Sequence, residues 1–362
     1  MQIGLAGLPQ TGKTTFFNLL TGASIDVGGF AGGGAGIHTG SAVVPDERID
    51  FLSKLYKPRK TIYAQIQFKD IPGIHGGEDA KFGVTGKFLD EVRASDALVH
   101  VVRAFESDEV PHAAGSVDPH RDLNDFHTEL LLADMGLIEK RMERINNSKK
   151  ITKEAAIELE VLKKYLAALE REQPVSSVEI GENEKEYMMG YSFLTEKPII
   201  IAVNLDEEQI IDGNYPGKEK VLQYAQEHGL PVMEICAQVE MEISRLPAED
   251  MQDFMTDYGL KESGIARLAR ATYDLLGLLS FFTVGEDEVR AWTIRKGTLA
   301  RKAAGKVHSD IERGFIRAEV FKYTDLRRLG SPAAVKENGL FRLEGKEYLV
   351  SDGDIINFRF NV

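Results

Sequence analysis

The 362-residue sequence contains a single cysteine, Cys236, and a single tryptophan. One cysteine excludes a disulfide within the chain and a metal site built from several thiolates. The sequence lacks an apolar run of the roughly 18 residues that a membrane-spanning helix needs. It also lacks the charged and apolar N-terminal regions of a signal peptide. These absences predict a cytoplasmic protein with no membrane partner.

The sequence also has fewer basic than acidic residues. It contains 44 Lys and Arg and 57 Asp and Glu, which gives a net charge of −13. This balance argues against simple nucleic-acid binding, and no DNA partner is expected. Residues 281–362 differ, with 15 basic against 12 acidic side chains, or +3. A mildly basic C-terminal module permits an RNA contact, although ordinary variation between domains is the alternative.

The segment Gly7–Thr14 reads G-x-x-x-x-G-K-T, the phosphate-binding loop of nucleoside-triphosphatases. An apolar candidate strand, Ile3–Ala6, precedes it, and a candidate helix follows. Backbone N–H groups of such a loop surround phosphate oxygens at the positive end of the helix. Lys13 is expected to reach the β- and γ-phosphates, and the Thr14 hydroxyl to coordinate Mg²⁺. The predicted nucleotide contacts here are Pro9, Gln10, Thr11, Gly12, Lys13, Thr14 and Thr15.

Two further elements narrow the class of nucleotide-binding protein. Asp70–Gly73 matches the D-x-x-G element of G domains, where the Asp holds Mg²⁺ through water and the Gly amide senses the γ-phosphate. Asn204–Glu207 follows the candidate strand Ile199–Val203, where G proteins carry the guanine-reading N-K-x-D. Here the spacing is N-x-x-E, one methylene longer and without the Lys, so guanine selection should be weaker. The second base-contact loop of G proteins corresponds in position to Cys236, Ala237 and Gln238 here.

The periodicity predicts an α/β fold in three parts. Residues 1–121 and 196–278 should form a P-loop G domain, with a mostly parallel sheet covered by helices on both faces. The alternating apolar positions of 62–68 predict one strand of it. Residues 122–195 should form an inserted antiparallel helical hairpin, since two apolar stripes flank a polar turn at 146–150. Residues 279–362 should form a β-grasp α+β domain, with a helix near 300–312 and strands that include 348–350.

A glycine-rich loop, residues 25–40, lies between the first helix and the second strand. Phosphate-sensing switch loops occupy this place in G domains. A plain flexible connection is the alternative.

With these elements assembled, the chain resembles the YchF or Obg-like ATPase family over essentially its whole length. The most specific matches are Gly7–Asn18, Asn204–Glu207, Cys236–Glu240, Glu288–Ile294, Gly314–Glu319 and the ending Asp352–Val362. The resemblance implies a G domain with a coiled-coil arm and a C-terminal TGS-like β-grasp domain. It also implies ATP hydrolysis in preference to GTP and association with ribosomes. The contacts to the ribosome and its rRNA would come from the TGS-like domain and the arm.

The resemblance also implies an unusual catalytic group. The residue after Gly73 is Ile74, which is apolar and cannot orient water. The family relies on a His in a mobile loop, in a stretch like Glu109–His112, so His112 is assigned as catalytic with Lys13 and Gly73. His75, directly after the D-x-x-G element, is the competitor.

This chain departs from the family in two places. Gln10 stands where the family commonly has an Asn that helps hold a monovalent cation, which leaves a K⁺ site in question. The Gly28–Gly36 run replaces the usual switch segment, so nucleotide-dependent switching is expected to be altered.

The sequence therefore predicts an ATPase with slow intrinsic hydrolysis, since no arginine finger is identifiable. A GTPase of translation or ribosome assembly is one alternative. A nucleotide-responsive ribosome-binding protein with negligible hydrolysis is another.

Overall fold

The computed structural model describes residues 1–25, 37–72, 86–247 and 249–361. The described chain divides into two compact units. Met1–Gly40 and Gln67–Ile265 form one, and Ser41–Ile66 and Ala266–Val362 form the other. The glycine run Gly28–Gly36, together with Gly73, Ile74 and His75, lies outside the described residues.

The first sheet has the strand order β2-β4-β1-β5-β6-β7. Its strands are β1 (Gln2–Ala6), β2 (His38–Val43), β4 (Gln65–Asp70), β5 (Ala97–Arg103), β6 (Ile199–Asn204) and β7 (Val232–Ile235). The pairings of β4, β1, β5, β6 and β7 are parallel. Every residue of β5 and β6 is buried, which is the pattern of parallel strands covered on both faces. The predicted α/β class and P-loop G domain are confirmed.

Helices of this unit follow the strands along the chain. They are α1 (Lys13–Thr21), α3 (Gly86–Ala94), α4 (Pro119–Asn146), α5 (Lys153–Leu169), α6 (Glu182–Met188), α7 (Glu207–Asp212), α8 (Lys218–His228), α9 (Ala237–Arg245) and α10 (Met251–Asp257). A short 3₁₀ segment spans Val175–Ser177. Helix α11 (Gly264–Leu275) leads into the second unit. No helix among the described residues combines the length and the apolar character needed to cross a bilayer.

The two apolar stripes predicted for the arm pack against each other. Ile138 and Ile145 of α4 share a buried cluster with Leu162 and Leu169 of α5, and the remaining stripe residues line it. Helix α4 also packs on the first sheet, since Phe126, in the first half of the helix, contacts residues of β1 and β5. The helix therefore crosses the boundary predicted at residue 122.

A buried carboxylate ties the end of the arm to α4. Asp134 accepts hydrogen bonds from the backbone N–H groups of Leu194 and Thr195, at 3.0 and 2.8 Å, and from the Thr195 hydroxyl at 2.8 Å. These bonds satisfy a carboxylate that is fully buried, which would otherwise be costly. They hold the returning chain beside α4, just before β6.

The second unit contains a mixed sheet with the order β11-β10-β12-β8-β9-β3. Its strands are β3 (Lys60–Ile62), β8 (Leu278–Val284), β9 (Glu288–Arg295), β10 (Phe315–Lys322), β11 (Arg342–Glu344) and β12 (Asp354–Phe360). Its helices are α2 (Glu47–Tyr56), α12 (Ala300–Val307), α13 (Ser309–Arg313), α14 (Tyr323–Leu329) and α15 (Pro332–Glu337). Alanines of α12 pack onto the sheet around Phe281 and Val320, which agrees with the predicted β-grasp α+β class.

Three local predictions were wrong. The expected single strand over 62–68 is two strands in two sheets, because β3 pairs in parallel with β9 of the C-terminal sheet. The segment Ser41–Ile66 thus belongs to the second unit, whereas its sequence position suggested the G domain. Residues 348–350 make only an isolated bridge, between Leu349 and Leu299. The helix near 300–312 breaks at His308, whose side chain caps α13.

Candidate nucleotide-binding site

The loop between β1 and α1 needs its glycines because it packs tightly. A Cβ atom on Gly7 would lie 2.4 Å from the carbonyl oxygen of Val101. Gly12 has a φ of +99°, and a Cβ atom there would lie 2.4 Å from Nδ2 of Asn204. Only glycine combines these backbone angles with so close an approach. Gln10 also adopts a positive φ, of 63°, a region that is uncommon for a residue with a side chain.

The N-terminus of α1 is open to an anion. Gly12 caps the helix without a side-chain hydrogen bond, and the first turn contains no acidic residue. The first N–H groups of a helix have no partner within it, and the helix dipole adds positive potential there. Together they favour a bound phosphate, and the phosphate contacts of this loop stay a prediction.

Lys13 lies over the loop as a buried cation. Its Nζ donates a 2.6 Å hydrogen bond to the carbonyl oxygen of Leu8, and the residue is only 7% exposed. Burial lowers the pKa of Lys13 to about 8, against the opposing attraction of Asp70. A dianionic or trianionic phosphate brought next to this ammonium would relieve the cost of its burial.

Thr14 and Asp70 meet at one point, as the prediction of a shared metal site requires. The Thr14 hydroxyl donates a 2.7 Å hydrogen bond to Oδ2 of Asp70. Asp70 ends β4 and pairs in register with Leu5 of β1, so the sheet places it beside the loop. One hydroxyl and one carboxylate fit Mg²⁺, which is commonly held by one or two carboxylates, waters and substrate phosphates. Among the described residues there is no cluster of three or more His, Cys, Asp and Glu that could hold a metal by itself.

Asn204 connects the phosphate loop with the second predicted base segment. Its Nδ2 donates to the carbonyl oxygen of Thr11 at 3.0 Å, and its Oδ1 accepts from the N–H of Ala237 at 3.1 Å. The residue is buried. Since both side-chain groups are engaged with backbone, Asn204 sets the spacing between the two loops.

Glu207 is the first residue of α7. Its side chain is hydrogen-bonded by a residue that belongs to neither of the two predicted base segments. The hydroxyl of Tyr258 donates a 2.8 Å hydrogen bond to Oε1 of Glu207. This bond raises the pKa of Tyr258 to about 12. Sequence reasoning missed Tyr258, because it lies 51 residues after Glu207 and in no recognised motif.

The segment Cys236–Gln238 begins α9. Cys236 is buried, and burial raises the pKa of its thiol, so the residue is an inert packing group. Ala237 is buried and bonded to Asn204, whereas Gln238 is exposed. Only Gln238 of the three has a side chain free to meet solvent.

His112 is not brought into contact with the phosphate loop in this structure. Its Nε2 lies 2.9 Å from Oδ2 of Asp122, and its Nδ1 accepts from the N–H of Ala114 at 3.1 Å. The side chain is only 4% exposed. Arg121 also contacts Asp122, at 2.7 Å. Burial raises the pKa of Asp122, although both Arg121 and His112 act to lower it.

Some of the predicted site residues lie together at the start of α1, and others do not. Lys13, Thr14, Asp70 and Asn204 converge on the N-terminus of α1. His112 faces α4 instead, and Gly73 lies outside the described residues. The K⁺ site stays a prediction, because no contact of Gln10 tests it.

Known proteins resemble this chain from end to end. A family model described as 50S ribosome-binding GTPase matches residues 2–135, and the YchF-GTPase_C model, a family of unknown function, matches residues 278–361. The "Ribosome-binding ATPase YchF" of Bacillus subtilis is 43% identical over 363 residues, covering 99% of each chain. The chain belongs to the YchF family.

More distant YchF-family members show the same full-length match. "Obg-like ATPase 1" of rice is 37% identical, over 100% of this chain and 92% of that protein. The solved structure of the Schizosaccharomyces pombe YchF GTPase superimposes with a TM-score of 0.87 at 31% identity, over 99% of this chain and 97% of that one. The predicted family resemblance is confirmed, and the fold of this chain is the fold of YchF.

Proposed function

We propose that this YchF-family protein binds and slowly hydrolyses ATP and associates with ribosomes. The observation that carries the proposal is the convergence of Lys13, the Thr14–Asp70 pair and the Asn204 clamp on the open N-terminus of α1. Relatives of the same length are named ribosome-binding ATPases, which supports both parts of the proposal.

In the proposed reaction, water attacks the γ-phosphorus and the bond to the β–γ bridging oxygen breaks, which releases ADP, inorganic phosphate and a proton. The ammonium of Lys13 stabilises the charge that develops on the phosphate oxygens. Thr14 and Asp70 would hold Mg²⁺, which neutralises phosphate charge. His112 would position the water after leaving Asp122. Because that departure precedes the chemical step, intrinsic hydrolysis is slow.

The choice of base rests on Glu207. A carboxylate at this position accepts a hydrogen bond from the exocyclic amine of adenine, and its longer side chain does not reproduce the geometry of the guanine-reading Asp. The side chain of Asn204 already bonds backbone groups of the two loops through both of its polar atoms, and we therefore assign the reading of the base to Glu207. Glu207 is the exposed charged group of this segment.

We expect calorimetry to show that a non-hydrolysable ATP analogue binds at least about tenfold more tightly than the GTP analogue, which corresponds to about 1.4 kcal/mol. Glu207→Asp should shift this ratio towards GTP, because it restores the length of the guanine-reading side chain. Glu208→Asp, at the neighbouring exposed position, is the matched control. Repeating the titration with a magnesium chelator should weaken binding. Equal affinities in the wild type, or tighter GTP binding, would support a GTPase instead.

The ribosome contact is assigned to the tip of the arm and to the C-terminal unit. Four exposed cations stand at the tip without an intervening acid: Arg144, Lys149, Lys150 and Lys153. Residues 281–362 are also net positive in a chain of −13. Clustered cations of this kind bind RNA phosphates in a salt-dependent way.

We expect the protein to co-sediment with ribosomes at low salt and to be released as salt rises. The sedimentation is measured with the ATP analogue, with ADP and without nucleotide. Absence from the ribosome fraction in all three states would contradict the association. Tight ATP binding and co-sedimentation without phosphate release would favour a nucleotide-responsive binding protein, a role consistent with the contact of His112 with Asp122.

A further inference from the structure

Tyr258, at the C-terminal end of α10, contacts Glu207, the residue that we propose reads the base of the nucleotide. Its hydroxyl donates to Oε1 of Glu207 at 2.8 Å. Hydrogen bonds that a carboxylate accepts are charge-assisted and stronger than neutral ones. One oxygen of Glu207 is thereby occupied, and Oε2 is left to accept a hydrogen bond from a ligand.

The ring of Tyr258 packs into an apolar cluster that includes Cys236 of the second base segment. Cys236, Val239 and Ile243 of the α9 region are buried in this cluster. The side chains packed against them are Ile210, Met251, Phe254, Met255, Tyr258 and Leu260. Ile210 belongs to α7, so residues of α7 and of α10 pack against the same buried side chains of the α9 region. The ring of Tyr258 also contacts Phe254, with centroids 5.0 Å apart.

This packing gives Tyr258 a defined ring position, from which its hydroxyl can restrict the rotamers of Glu207. A glutamate at an exposed helix start loses conformational entropy when a ligand orders it. A hydrogen bond already present in the free protein removes part of that cost, which is the general advantage of preorganisation.

We infer that Tyr258 is a specificity-determining residue of the nucleotide site, which orients the Glu207 carboxylate towards the exocyclic amine of adenine. The inference rests on the proposed function, in which Glu207 reads the base. It assigns to α10 a role in ligand selection in addition to its packing role.

The test compares ADP with purine riboside 5′-diphosphate, which differs from ADP only by lacking the amine at C6. In Tyr258→Phe the ring packing is kept and only the hydroxyl is lost. We expect calorimetry to show ADP affinity falling about fivefold, the typical effect of one hydrogen bond, while affinity for the purine analogue stays within about twofold. The melting temperature should not change, because exposed polar pairs contribute little to stability.

Two comparisons make the outcome decisive. Tyr224→Phe removes a tyrosine hydroxyl that contacts His127 at 2.9 Å, so it should leave both affinities unchanged. In a Glu207→Ala background, Tyr258→Phe should have no further effect on ADP binding, because the carboxylate it orients is gone. An equal loss for both ligands, or a loss that persists in the Glu207→Ala background, would overturn the inference.

The same titrations separate this inference from the proposed function. If the wild type binds ADP no better than the purine analogue, and Glu207→Ala changes nothing, the base assignment fails and the role of Tyr258 fails with it. If Glu207→Ala removes the preference for ADP while Tyr258→Phe preserves it, only the role of Tyr258 is overturned.

Discussion

Replacing Lys13 with methionine is expected to abolish ATP hydrolysis and, at the same time, to stabilise the nucleotide-free protein. Activity is lost because no other cation is predicted to reach the β- and γ-phosphates from this loop. Stability rises because a buried ammonium is replaced by an uncharged side chain of similar length. The pKa of Lys13 falls from 10.5 to about 8 on folding, which corresponds to a cost on the order of 3 kcal/mol at neutral pH.

Part of this gain is lost again with the hydrogen bond from the ammonium to Leu8, which contributes about 2 kcal/mol because the donor is charged. The net increase in the free energy of unfolding is therefore about 1 kcal/mol at pH 7. Urea unfolding of the nucleotide-free proteins measures it. Lys220→Met, at an exposed position of α8, is the matched control and should have no such effect.

The pH dependence of stability gives an independent check on the Lys13 variant. Because the folded pKa lies below the unfolded one, the folded state binds fewer protons than the unfolded state between about pH 8 and 10.5. The wild type should therefore gain stability as pH rises through this window, and the penalty should be fully present below pH 8. The advantage of Lys13→Met should shrink towards pH 10. A variant that is less stable than the wild type at pH 7 would contradict the assignment of Lys13 as a strained buried cation.

The same group makes nucleotide binding pH-dependent. Phosphate next to Lys13 raises the pKa of its ammonium in the complex above the value of about 8 in the free protein. Binding should be insensitive to this group at pH 7, and it should weaken as pH rises above 8, because the free protein must then take up a proton. Calorimetry in buffers of different ionisation enthalpy would measure the proton uptake directly.

Replacing His112 with alanine is expected to lower kcat for ATP by about 100-fold, within the range that a positioned acid, base or water-orienting group contributes. ATP affinity should change little, because the His112 side chain lies beside Asp122 and Ala114 and not among the groups that we expect to bind the phosphates. Single-turnover phosphate release separates the two quantities. His228→Ala, an exposed histidine of α8, is the matched control.

Substituting Asp122, which lies beside His112, tests the role of His112 more strictly. Nε2 of His112 lies 2.9 Å from Oδ2 of Asp122, and its Nδ1 accepts a hydrogen bond from the N–H of Ala114. Asp122→Asn removes the anionic partner and should raise kcat a few-fold, since His112 leaves more readily. The double variant with His112→Ala should return to the low rate of His112→Ala alone. Full activity in His112→Ala would contradict the assignment and would turn attention to His75.

Several parts of this molecule could be predicted from sequence because their function or packing requires particular residue types close together in the chain. Gly7 and Gly12 are needed for a tight loop, and Lys13 and Thr14 follow directly at the start of α1, where we expect the phosphates to bind. The apolar stripes of α4 and α5 likewise pack as predicted, since a helical period of apolar residues can be buried only on one face.

Other parts could not be read from local patterns. The strand predicted over 62–68 alternates regularly, yet β3 and β4 lie in different sheets, because pairing partners distant in the chain decide where a strand goes. His112 carries no local sign that its ring is held by Asp122.

The sequence by itself determined the P-loop pattern of Gly7–Thr14, the D-x-x-G pattern of Asp70–Gly73 and a segment, Asn204–Glu207, that departs from the N-K-x-D pattern. Only the tertiary structure decided how these parts meet. Asn204 reaches Thr11 across 193 positions and Tyr258 reaches Glu207 across 51, and such contacts depend on how strands and helices pack. Hydrogen bonds of this kind have no period and no motif, because their geometry is set by the whole fold.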